Sequence, residues 1–150
     1  MAQPVKKLII LVNLGSPEDL TVGAIRDFLR QFLSDQRVVG LPKLVWYPIL
    51  YGIILPLRAK KLLHKYEQIW LKDHGTPLSY YTRCQAEQLQ QQYANSQTIV
   101  DDAFCYGSRS IASQSSELSQ QHKFAEVVLI PLYPQYSSST TASAFDQLSA

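Results

Sequence analysis

Three apolar runs, each followed by a polar turn, divide the chain. The first predicts a strand from Lys6 to Val12, the second a strand that ends at 103–106, and the third a strand over 125–133. Short runs rich in branched residues are typical of strands buried on both faces, as in parallel sheets. Pro131 and Pro134 end the third strand, because proline has no N–H to donate to the ladder.

Apolar residues at helical spacing predict helices between these strands. The first apolar stripe follows a cap at Thr21 or Ser16 and consists of Ile25, Phe28, Leu29, Phe32 and Leu33. Further helices are predicted over 57–71 and from Leu78 to about Tyr93, the latter with Tyr81, Leu89 and Tyr93 facing inward. Of the last two predicted helices, one follows Gly107–Ser108 and the other follows the third strand. The order β-α-α-α-β-α-β-α predicts an α/β fold, a parallel sheet with right-handed crossovers and helices on both faces.

Hydroxyl residues fill the turn after the third strand, over 137–141. In an open α/β sheet, ligands bind at the carboxyl ends of the strands. This turn therefore either offers donors to a ligand or only caps the following helix. The turn 13–18 is expected at the same edge. It contains neither a G-x-G-x-x-G fingerprint nor a P-loop, which argues against nucleotide binding.

The segment 41–57 is apolar and aromatic, yet three prolines and Gly52 interrupt it. A membrane-spanning helix needs about twenty apolar residues without such breaks, so we reject a transmembrane span. Three interpretations remain open. The segment is core packed under a loop, or the lip of a pocket for a flat apolar ligand. The third is a membrane-surface contact, with Trp46 and Tyr47 as interfacial residues.

A basic cluster follows this apolar segment. It consists of Arg58, Lys60, Lys61 and Lys65. One interpretation is a solvated helix face. The other is a clamp for ligand carboxylates, for which the planar guanidinium of Arg58 is suited.

Composition narrows the range of partners and compartments. The chain has 150 residues, 46% hydrophobic and 17% charged, which is enough for one domain with a core. A net charge of +2 without a Lys/Arg run gives no support for nucleic acid binding. Cys84 and Cys105 stand far apart, as expected in a reducing compartment, and no secretory signal is evident, so we expect a cytoplasmic protein.

Catalytic chemistry is less evident than binding chemistry. His64 and His122 lie in polar stretches and His74 in a turn, so we interpret all three as surface or turn residues. None shares ligand spacing with a carboxylate, so we expect no metal site within the chain. Adjacent Asp101 and Asp102 would point to opposite faces of a strand and do not form a catalytic pair. The helical pattern after Ala144 has no stop signal, so the chain looks incomplete.

Several motifs, in order along nearly the whole chain, resemble the N-terminal portion of ferrochelatases of the bacterial type. They are Leu11-Val12-Asn13-Leu14-Gly15-Ser16-Pro17-Glu18, the stretch 28–39, the stretch 47–58, Gly75-Thr76-Pro77-Leu78 and Leu132-Tyr133-Pro134-Gln135-Tyr136-Ser137. The resemblance implies an enzyme that inserts Fe(II) into protoporphyrin IX, the last step of haem synthesis. It also implies two similar Rossmann-like domains with the porphyrin between them. Residues 1–150 would then be an incomplete first domain, with the second domain absent.

The resemblance also implies site residues. Arg58, Tyr66 and Thr76 match positions that contact the porphyrin, with Arg58 near a propionate. Leu14 matches the residue under the macrocycle, beside the metal path. The hydrophobic lip, which in some members touches membrane, corresponds to Trp46, Tyr47, Ile49, Leu50, Tyr51, Ile53, Ile54 and Leu55.

The catalytic histidine and glutamate of the family would lie beyond the position of Ala150. We therefore expect no catalytic residue and no bound cofactor in this chain, with Fe(II) and protoporphyrin IX as substrates, and an inactive isolated chain. The sequence departs from the family at Cys105, often arginine, and at Arg109, usually proline. Ser138 stands where some members carry a cysteine of a [2Fe–2S] cluster, so we expect no such cluster.

Two functional hypotheses follow. The chain is part of a ferrochelatase whose missing C-terminal domain completes the site, or it is an inactive module that binds a porphyrin or a partner. In either case the resemblance implies a cytoplasmic location with peripheral contact to the inner membrane.

Overall fold

Strand β1 (Lys7–Asn13) lies at the centre of a parallel sheet between β2 (Thr98–Phe104) and β3 (Glu126–Pro131). The computed structural model describes residues 7–94 and 96–149. Lys7 is in register with Thr98 on one side and with Glu126 on the other. The predicted parallel α/β sheet is confirmed. Lys6 and Ala150, assigned from sequence to the first strand and the last helix, lie outside the described residues.

Helices cover both faces of the sheet. They are α1 (Val22–Ser34), α2 (Lys43–Ile49), α3 (Leu55–Ile69), α4 (Pro77–Gln92), α5 (Ile111–Gln121) and α6 (Ser143–Ser149). On one face, Ile9 and Leu11 pack near Ala86 of α4. On the other, Leu8, Ile10 and Val12 form a cluster with residues of α1, α5 and α6. Because all five of these β1 side chains are buried, β1 holds the two helical layers together.

Hydroxyl side chains begin three of the helices. Thr21 Oγ1 accepts the Ala24 N–H at 3.2 Å, so Thr21 rather than Ser16 caps α1. Thr76 caps α4 and Ser110 caps α5 in the same way. Each cap satisfies an N–H that the first helical turn leaves without a partner.

Residues 43–69 form a continuous helical run, which corrects two expectations. Helix α2 passes into a π-helical turn (Leu50–Ile54), where the Leu55 N–H reaches back to the Leu50 carbonyl, and this turn continues into α3. The chain therefore has one more helix between its first two strands than we predicted. Interpretation of this segment as core under a loop is wrong, because the segment is helical and much of its surface is exposed.

Two buried leucines anchor this run to α1. Leu50 and Leu55 pack in one cluster with Ile25 and Leu29. The indole N–H of Trp46 donates to the carbonyl at the end of α1, on Leu33, at 2.7 Å. The helical run is thus fixed to the rest of the fold through its inner side, while side chains on its outer side are exposed.

Candidate functional site

The turn after β1 lies at the carboxyl edge of the sheet. The Leu14 N–H donates to Asn13 Oδ1 at 2.9 Å, and the Leu14 carbonyl accepts the Tyr106 N–H at 3.1 Å. Gly15 follows with φ of +100°, and its Cα lies against the Tyr106 carbonyl, where a side chain would not fit. Leu14, which the sequence analysis placed under the porphyrin, is therefore half-buried in a turn with a fixed backbone.

Three hydroxyl groups connect this turn to α4. Thr76 Oγ1 donates to Ser16 Oγ at 2.7 Å, and Ser16 Oγ lies 2.6 Å from Ser79 Oγ. Thr76, another predicted porphyrin contact, is buried and also caps α4. The fold thus joins Leu14 and Thr76 through Ser16. Sequence alone did not indicate the contact between Ser16 and Ser79, because it depends on the chain folding back over some sixty residues.

A polar crevice of about 380 Å³ adjoins this cluster. Arg109 borders it, but its guanidinium contacts Asp101 Oδ1 at 2.8 Å and Asp102 Oδ2 at 3.3 Å. Although we expected the two carboxylates on opposite faces, one arginine at the sheet edge reaches both. Burial raises the pKa of Asp101 against the opposing effect of Arg109. Arg109 is therefore engaged within the protein rather than presented to a ligand.

A second crevice, of about 510 Å³, lies along the start of α3. Its cations are Arg58, Lys61 and Lys65, and its apolar lining includes Ile53 and Leu57. Within residues 7–94 and 96–149, the Arg58 guanidinium makes no hydrogen bond or ion pair. Cations therefore stand beside exposed apolar side chains, an arrangement that fits a flat apolar molecule with acidic groups.

Tyr66 lies further along α3 and is half-buried against the cluster shared by α1 and α3. Burial raises the pKa of the Tyr66 hydroxyl, so the group stays protonated at neutral pH. In the described part of the chain, no hydrogen bond or ion pair links Arg58 or Tyr66 to Leu14 or Thr76. Arg58 and Tyr66 lie on α3, whereas Leu14 lies at the sheet edge and Thr76 at the start of α4.

The predicted lip divides into an outer and an inner side. Ile49, Tyr51 and Ile53 are exposed, while Trp46, Tyr47 and Ile54 are half-buried. Leu50 and Leu55 are core residues, so their assignment to the lip is corrected.

The most exposed apolar side chains of this region lie just outside the stretch 46–55 that the resemblance assigned to the lip. Leu44 is 92% exposed and Leu57 69% exposed, and Val45 is also on the surface.

The three histidines and Cys105 lie in different surroundings. His64 is exposed beside Glu67, His74 stacks on Tyr80, and His122 ends α5. Over the described ranges, no three His, Cys, Asp or Glu side chains come together as a metal site. The Cys105 thiol is buried 3.6 Å from the Tyr133 hydroxyl, and burial raises its pKa, which disfavours a thiolate.

The run of hydroxyl residues after β3 forms a π-helical turn, Ser138–Ala142, that leads into α6. Ser137 Oγ lies 2.6 Å from Thr140 Oγ1, so hydroxyl groups of the run bond to one another. None of the described helices is long and apolar enough to cross a membrane.

Comparison with known proteins places this arrangement in a family. A sequence model of ferrochelatases matches residues 6–150. The chain belongs to the ferrochelatase family. It is 45% identical over 140 residues to the ferrochelatase of Neisseria meningitidis serogroup C / serotype 2a (strain ATCC 700532 / DSM 15464 / FAM18). It is 44% identical over 140 residues to the ferrochelatase of Neisseria gonorrhoeae (strain ATCC 700825 / FA 1090).

These alignments cover 93% of this chain but 40% of each relative. The ferrochelatase-family chain thus spans less than half the length of the curated relatives it matches. Its similarity to their N-terminal portion agrees with the expectation from the sequence motifs.

Proposed function

We propose that this chain forms part of the porphyrin cleft of a ferrochelatase, which inserts Fe(II) into protoporphyrin IX to form protohaem. The observation that carries the proposal is the crevice along the start of α3. There the Arg58 guanidinium makes no hydrogen bond or ion pair with any described residue and lies beside exposed Ile53 and Leu57. A porphyrin is a large, flat apolar ring with two carboxylates at one edge. It requires an apolar slot with cations at its rim.

Each candidate residue has a defined task in this proposal. The Arg58 guanidinium binds a propionate, and nearby Lys61 adds positive charge. Leu14 contacts the face of the ring, and Tyr66 and Thr76 contact the porphyrin as well. Thr76 also holds the turn that carries Leu14, through its hydrogen bond to Ser16. In this proposal residues 1–150 belong to the first of two similar domains.

Metal insertion also requires a base, because two pyrrole N–H protons must leave the ring. In this proposal the histidine and glutamate that serve the reaction come from outside this chain. Tyr66, Tyr106 and Tyr133 are unsuited as bases, because burial raises the pKa of each hydroxyl above its ordinary value.

The alternative is an inactive porphyrin- or partner-binding module. Formation of haem by this chain alone would contradict both the proposed division of the site and the inactive binding module.

Replacement of Arg58 by alanine is expected to weaken protoporphyrin IX binding by about tenfold to a hundredfold, since a hydrogen bond to a charged group contributes about 1.5–3 kcal/mol. The measurement is titration of the chain with protoporphyrin IX, followed by the porphyrin absorption band. Arg26→Ala is the matched control, because Arg26 is an exposed helical arginine on α1 outside the crevice.

Equal affinities of the Arg58→Ala variant and the unmodified chain would show that Arg58 does not bind a propionate. A loss of similar size in the Arg26→Ala control would indicate general charge attraction instead of a propionate contact. Absence of any porphyrin binding by the unmodified chain would refute the proposed function itself.

We also propose that the chain is cytoplasmic and peripheral to the inner membrane, and that the outer side of the helical run 43–57 contacts the membrane surface. The support is the exposure of Leu44 and Leu57 on a helical segment that carries Lys43 and the basic residues of α3. Exposed apolar side chains beside cations are typical of helices that lie in an anionic bilayer surface.

Leu44→Ser is expected to reduce binding to vesicles of anionic and neutral phospholipid by about tenfold, because one leucine inserted into the bilayer contributes roughly 1.5 kcal/mol or more. Cosedimentation with vesicles measures the effect. Ile69→Ser is the control, because Ile69 is an exposed apolar residue at the opposite end of α3. Equal losses in both variants would contradict a contact made through the outer side of the helical run 43–57.

A further inference from the structure

Asn13 and Thr82 form a hydrogen-bonded bridge between the end of β1 and helix α4. Asn13 Nδ2 donates to Thr82 Oγ1 at 3.1 Å, and Thr82 Oγ1 donates to the Leu78 carbonyl at 2.7 Å. At its other end, Asn13 Oδ1 accepts the Leu14 N–H at 2.9 Å. The amide of Asn13 must therefore donate on one side and accept on the other, which an aspartate carboxylate does not do.

A second bridge lies on the other side of Leu14. Ser16 accepts a hydrogen bond from Thr76 at the start of the same helix α4. Leu14 thus stands between two connections to α4, one through Asn13 and one through Ser16. Thr82 is only 2% exposed, so the Asn13 bridge is shielded from competing water.

We propose that Asn13 and Thr82 are positioning residues that hold the Leu14 side chain against the face of a bound porphyrin. This inference rests on the proposed function, which puts Leu14 in contact with the ring. Asn13 acts through the Leu14 backbone, and Thr82 acts through Asn13. Neither residue needs to touch the porphyrin. Dispersion contacts with a flat ring weaken steeply as the gap widens, so a small displacement of Leu14 lowers affinity.

A double-mutant cycle separates positioning from general stability. It compares the unmodified chain with Asn13→Asp, Leu14→Ala and the double variant, each titrated with protoporphyrin IX. Asn13→Asp is expected to weaken binding about fivefold when Leu14 is present and less than about twofold in the Leu14→Ala background, since coupled residues are non-additive. A nonspecific charge effect of the new carboxylate would appear equally in both backgrounds.

Thr82 provides a second test that adds no charge. Thr82→Val removes the hydroxyl at constant size, and its loss of affinity is also expected to depend on Leu14. Thr82→Ser keeps the hydroxyl and is expected to restore most of the affinity that Thr82→Val loses. Should Asn13→Asp fail to fold, as judged by circular dichroism, the cycle of Thr82→Val with Leu14→Ala decides.

The outcomes distinguish this inference from the proposed function. Equal losses of affinity with and without the Leu14 side chain would overturn positioning by Asn13 and Thr82, while porphyrin binding by the unmodified chain would still stand. No porphyrin binding by the unmodified chain would overturn both.

Discussion

Replacement of Gly15 by alanine is expected to destabilise the fold by more than about 3 kcal/mol, because two penalties add. Gly15 has φ of +100°, a conformation that side chains disfavour. A Cβ at Gly15 would also lie 2.0 Å from the Tyr106 carbonyl oxygen. That oxygen belongs to the backbone, so it cannot move without disturbing the hydrogen bond between Tyr106 N–H and the Leu14 carbonyl.

Urea denaturation followed by circular dichroism measures the change in the free energy of unfolding. Gly23→Ala is the matched control, because a Cβ at Gly23 would meet only Thr21 Oγ1, at 4.0 Å. Gly23 lies in α1, where alanine is favoured over glycine by up to about 1 kcal/mol. We expect the control to be neutral or stabilised. A Gly15→Ala variant as stable as the unmodified chain would show that the turn can rearrange.

Burial made the sheet predictable from sequence. The residues of β1 are apolar without alternation because both of its faces are covered. A similar apolar run identified β3, but the expectation that this strand is buried on both faces is wrong. It lies at the edge of the sheet, and its Val127 and Ile130 are exposed. Helix α1 was predictable because its apolar stripe faces the core at regular spacing.

The helical state of 43–54 was not predictable, because proline and glycine are ordinary signals of a break. Pro48 lies inside α2, and the π-helical turn that follows changes the hydrogen-bond spacing from four residues to five. Burial of Leu50 and Leu55 against α1 holds the run in place. Tertiary contacts of this kind override local propensity, and sequence pattern does not reveal them.

The inward face of α4 was partly misjudged for a related reason. Tyr81, predicted to face inward, is 59% exposed, and Tyr93 is also on the surface. Thr82 and Ala86 are buried in their place. Small residues allow a helix to approach the sheet closely, so the largest side chains of α4 did not mark its packed face.

The candidate site was predictable only where it depended on motifs. Leu14 and Thr76 followed from two motifs far apart in sequence, and the fold joins them through Ser16. The bridge between Asn13 and Thr82 carried no sequence signal, because it depends on how β1 and α4 are aligned. The partners of Asp35 were equally hidden, since Tyr106 and Ser143 come from distant parts of the chain.

Replacement of Asp35 by alanine is expected to destabilise the fold by about 2–4 kcal/mol, because it removes an acceptor shared by buried hydroxyl groups. Asp35 Oδ2 accepts hydrogen bonds from Tyr106 at 2.7 Å and from Ser143 at 2.5 Å, and Oδ1 accepts the Arg37 N–H at 2.8 Å. The carboxylate thereby joins the end of α1 to the strand extension after β2 and to α6. Asp27→Ala is the control, because Asp27 is exposed and forms only a loose pair with Arg30.

The pH dependence of stability tests the same carboxylate. Partial burial opposes ionisation of Asp35, but hydrogen bonds from Ser143, Tyr106 and the Arg37 backbone outweigh it and lower the pKa of the folded state. A lowered pKa means that the stabilisation is complete above the unfolded-state value, about 4, and is lost as pH falls through the folded-state pKa. The unfolding free energy of Asp35→Ala should therefore fall less steeply below about pH 4 than that of the unmodified chain. Identical slopes in urea titrations across this range would show that Asp35 has the same pKa in both states, and the hydrogen bonds would then not favour its charged form.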